Sequence, residues 1–295
     1  MVVTKIPLKA LALLPVLTFV WGTTWPLFHV ALQELGPWTF RVGVLSVSAL
    51  LLAAIVKLRG ESFAVPKGRW PALCLSAFFN LGFWNIATSL AVLYLPSGHA
   101  SVLAYTMPLW VALLGFLFFR ERLSARLWLA IAIGAAAVVA LMAPNFKSYA
   151  HAPWGLFWGL AAGCGWALGT FVMKRTNWGG MGLSLTFWQV AVCLPVMALI
   201  APLIEGVPQH WPSQMVLWVT LYVGVGPMAM GTAIWFALVK WLPAQVAGLS
   251  SIAVPIVAVI AGTFFLHEPL STLQAVAIGS TVISLWLALT PQRSR

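Results

Sequence analysis

Residues 118–124 read FFRERLS and residues 265–271 read FLHEPLS. Both place a glutamate and then a serine just after a long apolar run, and Glu121 and Glu268 stand 147 positions apart in a chain of 295 residues. Sliding the sequence by that half-length without a gap lays Pro96 on Pro243, Pro108 on Pro255, Gly115 on Gly262, Leu123 on Leu270 and Ser124 on Ser271. The same shift lays Gly22-Thr23 on Gly169-Thr170 and Thr39-Phe40 on Thr186-Phe187. Self-similarity at one fixed offset marks a duplicated unit. The chain therefore reads as two repeats, residues 1–147 and 148–295.

Apolar residues make up 62% of the chain and charged residues 7%, too few to clothe a soluble protein. Crossing the hydrocarbon layer takes about 20 residues of helix. Breaks at Gly, Pro and charged clusters cut the chain into ten such stretches, at about 8–32, 37–57, 68–93, 96–119, 123–143, 153–173, 180–203, 213–239, 243–266 and 270–290. The runs are continuous rather than alternating, so helices are expected and not a barrel. Lys5 and Lys9 before an apolar run also fit a signal peptide, but no small-residue cleavage site closes it, and a retained first span is expected.

Basic residues fix the orientation. Fourteen of the 16 Lys and Arg fall at the N-terminus, in the connections after even-numbered spans, or at the C-terminus. Lys147 falls on the other side, and Arg41 sits a few residues inside span 2. The positive-inside rule then places both termini in the cytoplasm, in a bacterial inner membrane. Five spans per repeat is an odd number, so the second repeat enters from the opposite side. The expected fold is all-α, ten transmembrane helices in two inverted five-helix repeats. Such repeats exchange two packings and open a midplane site to alternate sides.

The formal charge of +11 comes in short clusters between apolar runs, which gives topology and no nucleic-acid surface. Cys74, Cys164 and Cys193 are isolated, so neither a disulfide framework nor a metal site is indicated. No phosphate-binding glycine loop and no catalytic or metal-ligand spacing is present. An enzyme is not expected, nor a cofactor; the expected partners are a small-molecule substrate and the lipid bilayer, with the chain a monomer.

Phe-Leu-His-Glu-Pro-Leu-Ser at 265–271, followed by a Gln and a small-residue helix through Gly279, resembles the end of an EamA domain, the repeat of the drug/metabolite transporter superfamily. FFRERLS at 118–124 resembles the same element in the first copy, and Trp-Gly-Thr-Thr-Trp-Pro at 21–26 opens span 1. The aromatic richness and short loops look most like the amino-acid exporters, including the YddG-type aromatic amino-acid exporters. The resemblance implies a central cavity lined by helices 1, 3, 4, 6, 8 and 9, with helices 5 and 10 at the periphery.

Glu121 and Glu268, with Ser124 and Ser271, read as structural turns in which the serine caps the next helix, against a gate or proton site. Pro108 and Pro255 fall inside spans 4 and 9, as fixed kinks or as a matched pair of hinges. Gly155, Gly159 and Gly163 repeat every four residues and read as close helix packing. Trp38, Trp70, Trp178, Trp211 and Trp241 stand at span ends and read as an interfacial belt. Trp21, Trp84, Trp110, Trp166 and Trp235 lie deeper and become candidate walls of a substrate path, since stacked rings suit apolar or aromatic solutes. Thr24, Asn80, His99, Tyr105 and Ser251 join them as deep polar residues that face the interior, each with helix-to-helix hydrogen bonding as the plainer role. Arg41 reads as snorkelling to the interface, against binding a substrate carboxylate.

The function expected from these residues is export of small neutral hydrophobic metabolites, aromatic or bulky apolar amino acids first, by alternating access. The alternatives are a nucleotide-sugar or phosphate-ester antiporter, which needs several cations in the cavity, and a membrane enzyme or lipid-handling protein, which needs a paired acid and base.

Overall fold

The computed structural model describes residues 7–95, 97–120, 123–143, 146–266 and 272–289. Among these, all regular structure is helical. Eight helical stretches are long and apolar enough to cross a membrane: Ala10–Ala31, Pro37–Leu58, Trp70–Tyr94, His99–Phe118, Ala125–Met142, Pro153–Arg175, Leu183–Glu205 and Gln214–Trp241. Two shorter apolar helices, Val246–Ala258 and Ala275–Ser284, occupy the places of the expected ninth and tenth spans.

Several stretches are interrupted where the sequence removes a backbone bond. The first divides into α1 (Leu8–Gly22) and α2 (Thr24–Ala31). Pro26 has no N–H for the carbonyl of Gly22. Thr23 and Thr24 turn their hydroxyls back onto the carbonyls of Phe19 and Val20, at 3.0 Å each. After α3 (Pro37–Leu58), the third stretch runs α4 (Trp70–Ala77), a π-helical turn Phe78–Phe83 and α5 (Trp84–Tyr94). The fourth divides into α6 (Ser97–Ala104) and α7 (Met107–Phe119) around a turn at Tyr105 and Thr106. Pro108 thus stands in the first turn of α7, where a missing N–H is tolerated, rather than as a kink in a continuous helix.

The later stretches are α8 (Ala125–Met142), a short α9 (Phe146–His151), α10 (Pro153–Arg175) and α11 (Leu183–Glu205). Then come α12 (Gln214–Val223), a π-helical segment Gly224–Gly231 and α13 (Thr232–Trp241). The chain continues through α14 (Ala244–Ser250), a 3₁₀ turn Ser251–Ala253, α15 (Val254–Leu266) and α16 (Thr272–Leu289). Pro255 opens α15 directly after its break, as Pro108 opens α7. Ser124 stands at the N-cap of α8, its hydroxyl accepting the N–H of Leu127 at 3.3 Å. Glu121, Glu268 and Ser271 lie outside the described residues.

Helix α10 is the hub, packing on α4, α5, α6, α7 and α13. Its glycines permit that. A methyl group on Gly159 would fall 2.7 Å from the Leu103 side chain, and one on Gly163 2.9 Å from the carbonyl oxygen of Ala104. Gly155 meets Leu95 and Tyr94, Gly165 meets Phe83, and Gly169 meets Asn80. Backbones approach closely wherever these side chains are absent. Helix α3 packs along α11, and α8 along α16, where Ser284 donates to the carbonyl of Ala130 at 2.7 Å.

The three described carboxylates all serve helix N-termini across the bundle. Glu205, at the end of α11, accepts the N–H groups of Trp38 and Thr39 at 2.8 Å and the Thr39 hydroxyl at 2.7 Å, closing the start of α3. Glu61, just beyond α3, accepts the N–H of Leu183 at the start of α11 at 2.9 Å. Glu34 takes the hydroxyl and N–H of Ser213, the N-cap of α12, and those bonds hold its carboxyl below the ordinary value. Each supplies an acceptor where a helix exposes donors and positive potential.

Large apolar side chains such as Val139, Leu199, Leu203 and Trp286 point outward and are exposed, as a lipid-facing surface requires. The tryptophans at span ends differ in exposure. Trp211 is 92% exposed, but Trp38 is 3% exposed and belongs to the packed interior.

Candidate functional site

Helix breaks and π-turns cluster around one internal cleft. About 620 Å³ of empty space, part of it open to the outside, lies between residues of α1, α2, α3, α5, α7, α10, α12 and α13 and of the two π-helical segments. The Thr23 break and the Tyr105–Thr106 turn both lie beside it. A π-helical turn carries an extra residue per turn, which re-aims side chains and shifts carbonyls off the regular ladder. The carbonyl of Pro227, in the second π-helical segment, accepts the indole N–H of Trp21 at 3.0 Å. That bond pins the Trp21 ring between α1 and the Gly224–Gly231 segment.

Aromatic rings form the wall. The Trp166 ring lies 4.7 Å from Trp84 and 5.5 Å from Trp21, both at steep angles. Tyr105 closes on Trp84 at 5.9 Å, on Trp25 at 6.1 Å and on Trp21 at 6.5 Å. Trp235 stands behind, fully buried, 5.6 Å from Trp21 and 6.0 Å from Trp166. Edge-to-face and tilted contacts of this kind hold the rings in fixed orientations. Four of the five deep tryptophans read from the sequence thus meet in one cluster. Trp21, Thr24, Trp84, Tyr105 and Trp166 line the cleft directly.

The other candidates sit elsewhere. Trp110 packs on a separate cluster with Val111, Ala167 and Phe171. Asn80 is fully buried in the π-helical turn of the third stretch, against Gly169, with its amide atoms unpartnered among the described residues. His99 lies near the start of α6, its ring 5.2 Å from Tyr149 on α9. Ser251 is buried and donates to the carbonyl of Gly248 at 2.7 Å.

Arg41 corrects the sequence reading. It does not snorkel: it is 6% exposed and lines the cleft. One guanidinium nitrogen donates to the Thr88 hydroxyl at 3.1 Å, and the group stacks over the Phe28 ring at 4.6 Å. Trp25, Phe28 and Thr232, also on the wall, escaped the sequence reading. Trp25 stands in the Trp-Gly-Thr-Thr-Trp-Pro stretch, and Pro26 beside it was the available signal of a break that turns side chains inward. No group of His, Cys, Asp and Glu able to hold a metal occurs among the described residues.

Fold and cleft together define a class: a multi-pass helical membrane protein built around an aromatic-walled internal site. The sequence profile of the EamA-like transporter family matches residues 8–143 and again 153–290, and the chain belongs to that family of membrane transporters. It is similar to the uncharacterized transporter YvbV of Bacillus subtilis, 26% identical over 96% of this chain and 92% of that one. It is also similar to protein PecM of Dickeya dadantii, 27% identical over 88% and 85% of the two chains. The uncharacterized inner membrane transporter YedA of Escherichia coli K12 is 24% identical over 92% and 87%. One solved crystal structure superposes with a TM-score of 0.76 over 95% of this chain and 96% of that one, at 20% identity, which is a likeness of fold.

Proposed function

We propose that this transporter exports small apolar solutes across a bacterial inner membrane, with aromatic or bulky apolar amino acids first among them, by alternating access of two inverted five-helix repeats. The observation that carries the substrate class is the ring cluster of Trp21, Trp84, Tyr105 and Trp166 facing the cleft. It offers an apolar guest several π-faces and charged solutes one cation. A phosphate ester, with up to two negative charges, requires several cations at that depth. Counterflow in proteoliposomes tests the reading: saturable exchange of Phe, Trp, Met or Leu is expected, with sugar phosphates poor competitors. Preferential exchange of a sugar phosphate would replace it with the antiporter reading.

The double family match, the matched prolines, and π-helical segments that begin near residues 78 and 224, close to one half-length apart, support the repeat architecture. In this reading α14 with α15, and α16, complete ten spans, the repeats are 1–147 and 148–295, and both termini are cytoplasmic. Single cysteines at Gly60 and Ser124, in a variant lacking the native three, are then expected to resist an impermeant thiol reagent on intact cells, while one at Gly206 reacts. The opposite labelling pattern would refute the topology.

Pro108 and Pro255 act as hinges in this mechanism, each at the joint where one half-helix meets the next. Alanine at either position releases the fixed φ that sets the joint and removes little packing. Pro108→Ala and Pro255→Ala are expected to slow exchange by about fivefold or more, with melting temperatures in detergent within a few degrees of the parent. Unchanged exchange in both variants would leave the prolines as fixed joints.

A further inference from the structure

A cation inside a membrane protein is stable only when something answers its charge, and Arg41 is answered incompletely. It is 6% exposed, its neighbours are the Thr88 hydroxyl, the Phe28 ring and, within electrostatic reach, the neutral Tyr105 phenol, and its Nε has no hydrogen-bond partner among the described residues. The salt bridge of Arg59 with Glu61 lies elsewhere. Glu205, at the head of the same helix α3, is already occupied by Trp38 and Thr39. No Asp, Glu, Lys or His lines the cleft among the described residues, so Arg41 is its one formal charge. The other buried polar atom of the wall without a partner is also a donor, the indole N–H of Trp166. A wall whose buried unpartnered groups are donors, one of them on a cation, is complementary to an anionic acceptor that reaches them.

We propose that Arg41 anchors a carboxylate of the transported solute, and that the cleft prefers monocarboxylates with an aromatic or bulky apolar body over the corresponding zwitterions. This rests on the reading of the cleft as the solute site and assigns the charged end of its guest. A guanidinium matches a carboxylate in shape as well as charge, and desolvation strengthens the pair. The guest's apolar body then lies against the rings. An ammonium group adds nothing that this wall can answer with a carboxylate, and it stands close to a second positive charge. An α-amino acid is thus one member of the class, bound through its carboxylate, and its des-amino counterpart is the better fit.

Four phenyl compounds of near-equal size decide it: 3-phenylpropionate, phenylalanine, 2-phenylethylamine and 3-phenylpropanamide. Binding to the purified full-length protein in lipid nanodiscs at pH 8 is read from tryptophan fluorescence and from the melting temperature. In the parent protein 3-phenylpropionate is expected to bind at least about tenfold more tightly than the amide, with phenylalanine between them and the amine weakest. In Arg41→Gln the acid-to-amide ratio is expected to collapse to within about threefold, and Arg41→Lys is expected to retain part of it. Equal binding of acid and amide to the parent would overturn the anchor while leaving the aromatic cleft standing, as would tightest binding of the amine. Failure of all four compounds to bind would overturn the solute-site reading and the anchor with it. The parent series decides the question even where a variant fails to fold.

Discussion

Gly163→Leu is expected to abolish the folded transporter, while Gly279→Leu leaves it intact. Both glycines lie within helices and both changes favour helix formation, since Gly costs about 0.5–1 kcal/mol relative to Ala there. The surroundings decide the sign. A methyl group on Gly163 would sit 2.9 Å from the carbonyl oxygen of Ala104, 3.0 Å from the Thr106 hydroxyl and 3.2 Å from the backbone nitrogen of Met107. Two of these are backbone atoms at the joint between α6 and α7, so no rotamer change makes room. Overpacking a core typically costs about 1–3 kcal/mol, and a whole isobutyl group driven into a rigid joint exceeds that range. Around Gly279 nothing lies within 4 Å of the corresponding position. Monodisperse yield and melting temperature in mild detergent measure the contrast. A Gly163→Leu protein that melts like the parent would show that α10 does not press on this joint.

Trp166→Ala is expected to lower the exchange of bulky apolar solutes at least about tenfold, a loss of about 1.4 kcal/mol or more of transition-state stabilisation. Its ring touches both Trp84 and Trp21, so its removal loosens the wall as well as opening it. Trp-to-Ala changes in packed interiors cost about 3–5 kcal/mol of stability, and a fold-independent control is needed. Trp166→Phe keeps a ring and is expected to retain most exchange. Trp110→Ala, in a separate cluster, is expected to leave solute selectivity unaltered. Equal losses in Trp110→Ala and Trp166→Ala, or a Trp166→Ala protein with parental exchange, would remove the ring cluster from the path.

Some features were legible because they are local. Apolar runs of membrane length, their Gly and Pro boundaries and the glycine stripe of α10 each follow from neighbouring residues, and helices appear where those runs were read. Depth was legible for the tryptophans, and four of them converge. Direction was not. Trp110 is as deep by position as Trp166, yet its helix turns it toward Val111 and Phe171. Pro108 and Pro255 read as fixed kinks or hinges inside continuous spans, and each stands in the first turn of a second half-helix. The π-helical segments were invisible, because a run of apolar residues carries the same pattern whether a turn holds one residue more or fewer.

The sequence by itself determined that this is a membrane-embedded helical chain, since hydrophobic length is a property of order along the chain. Arg41 shows what it left to the tertiary structure. As the fifth residue of its helix, an arginine reaches the interface or the interior with equal ease along the chain, because its long stem permits both. The fold settles it by setting Phe28 under the guanidinium and Thr88 beside it, two partners that come from α2 and α5 and that no reading of α3 contains. Burial of a side chain is decided by what packs against it, and those neighbours arrive only when separate helices come together.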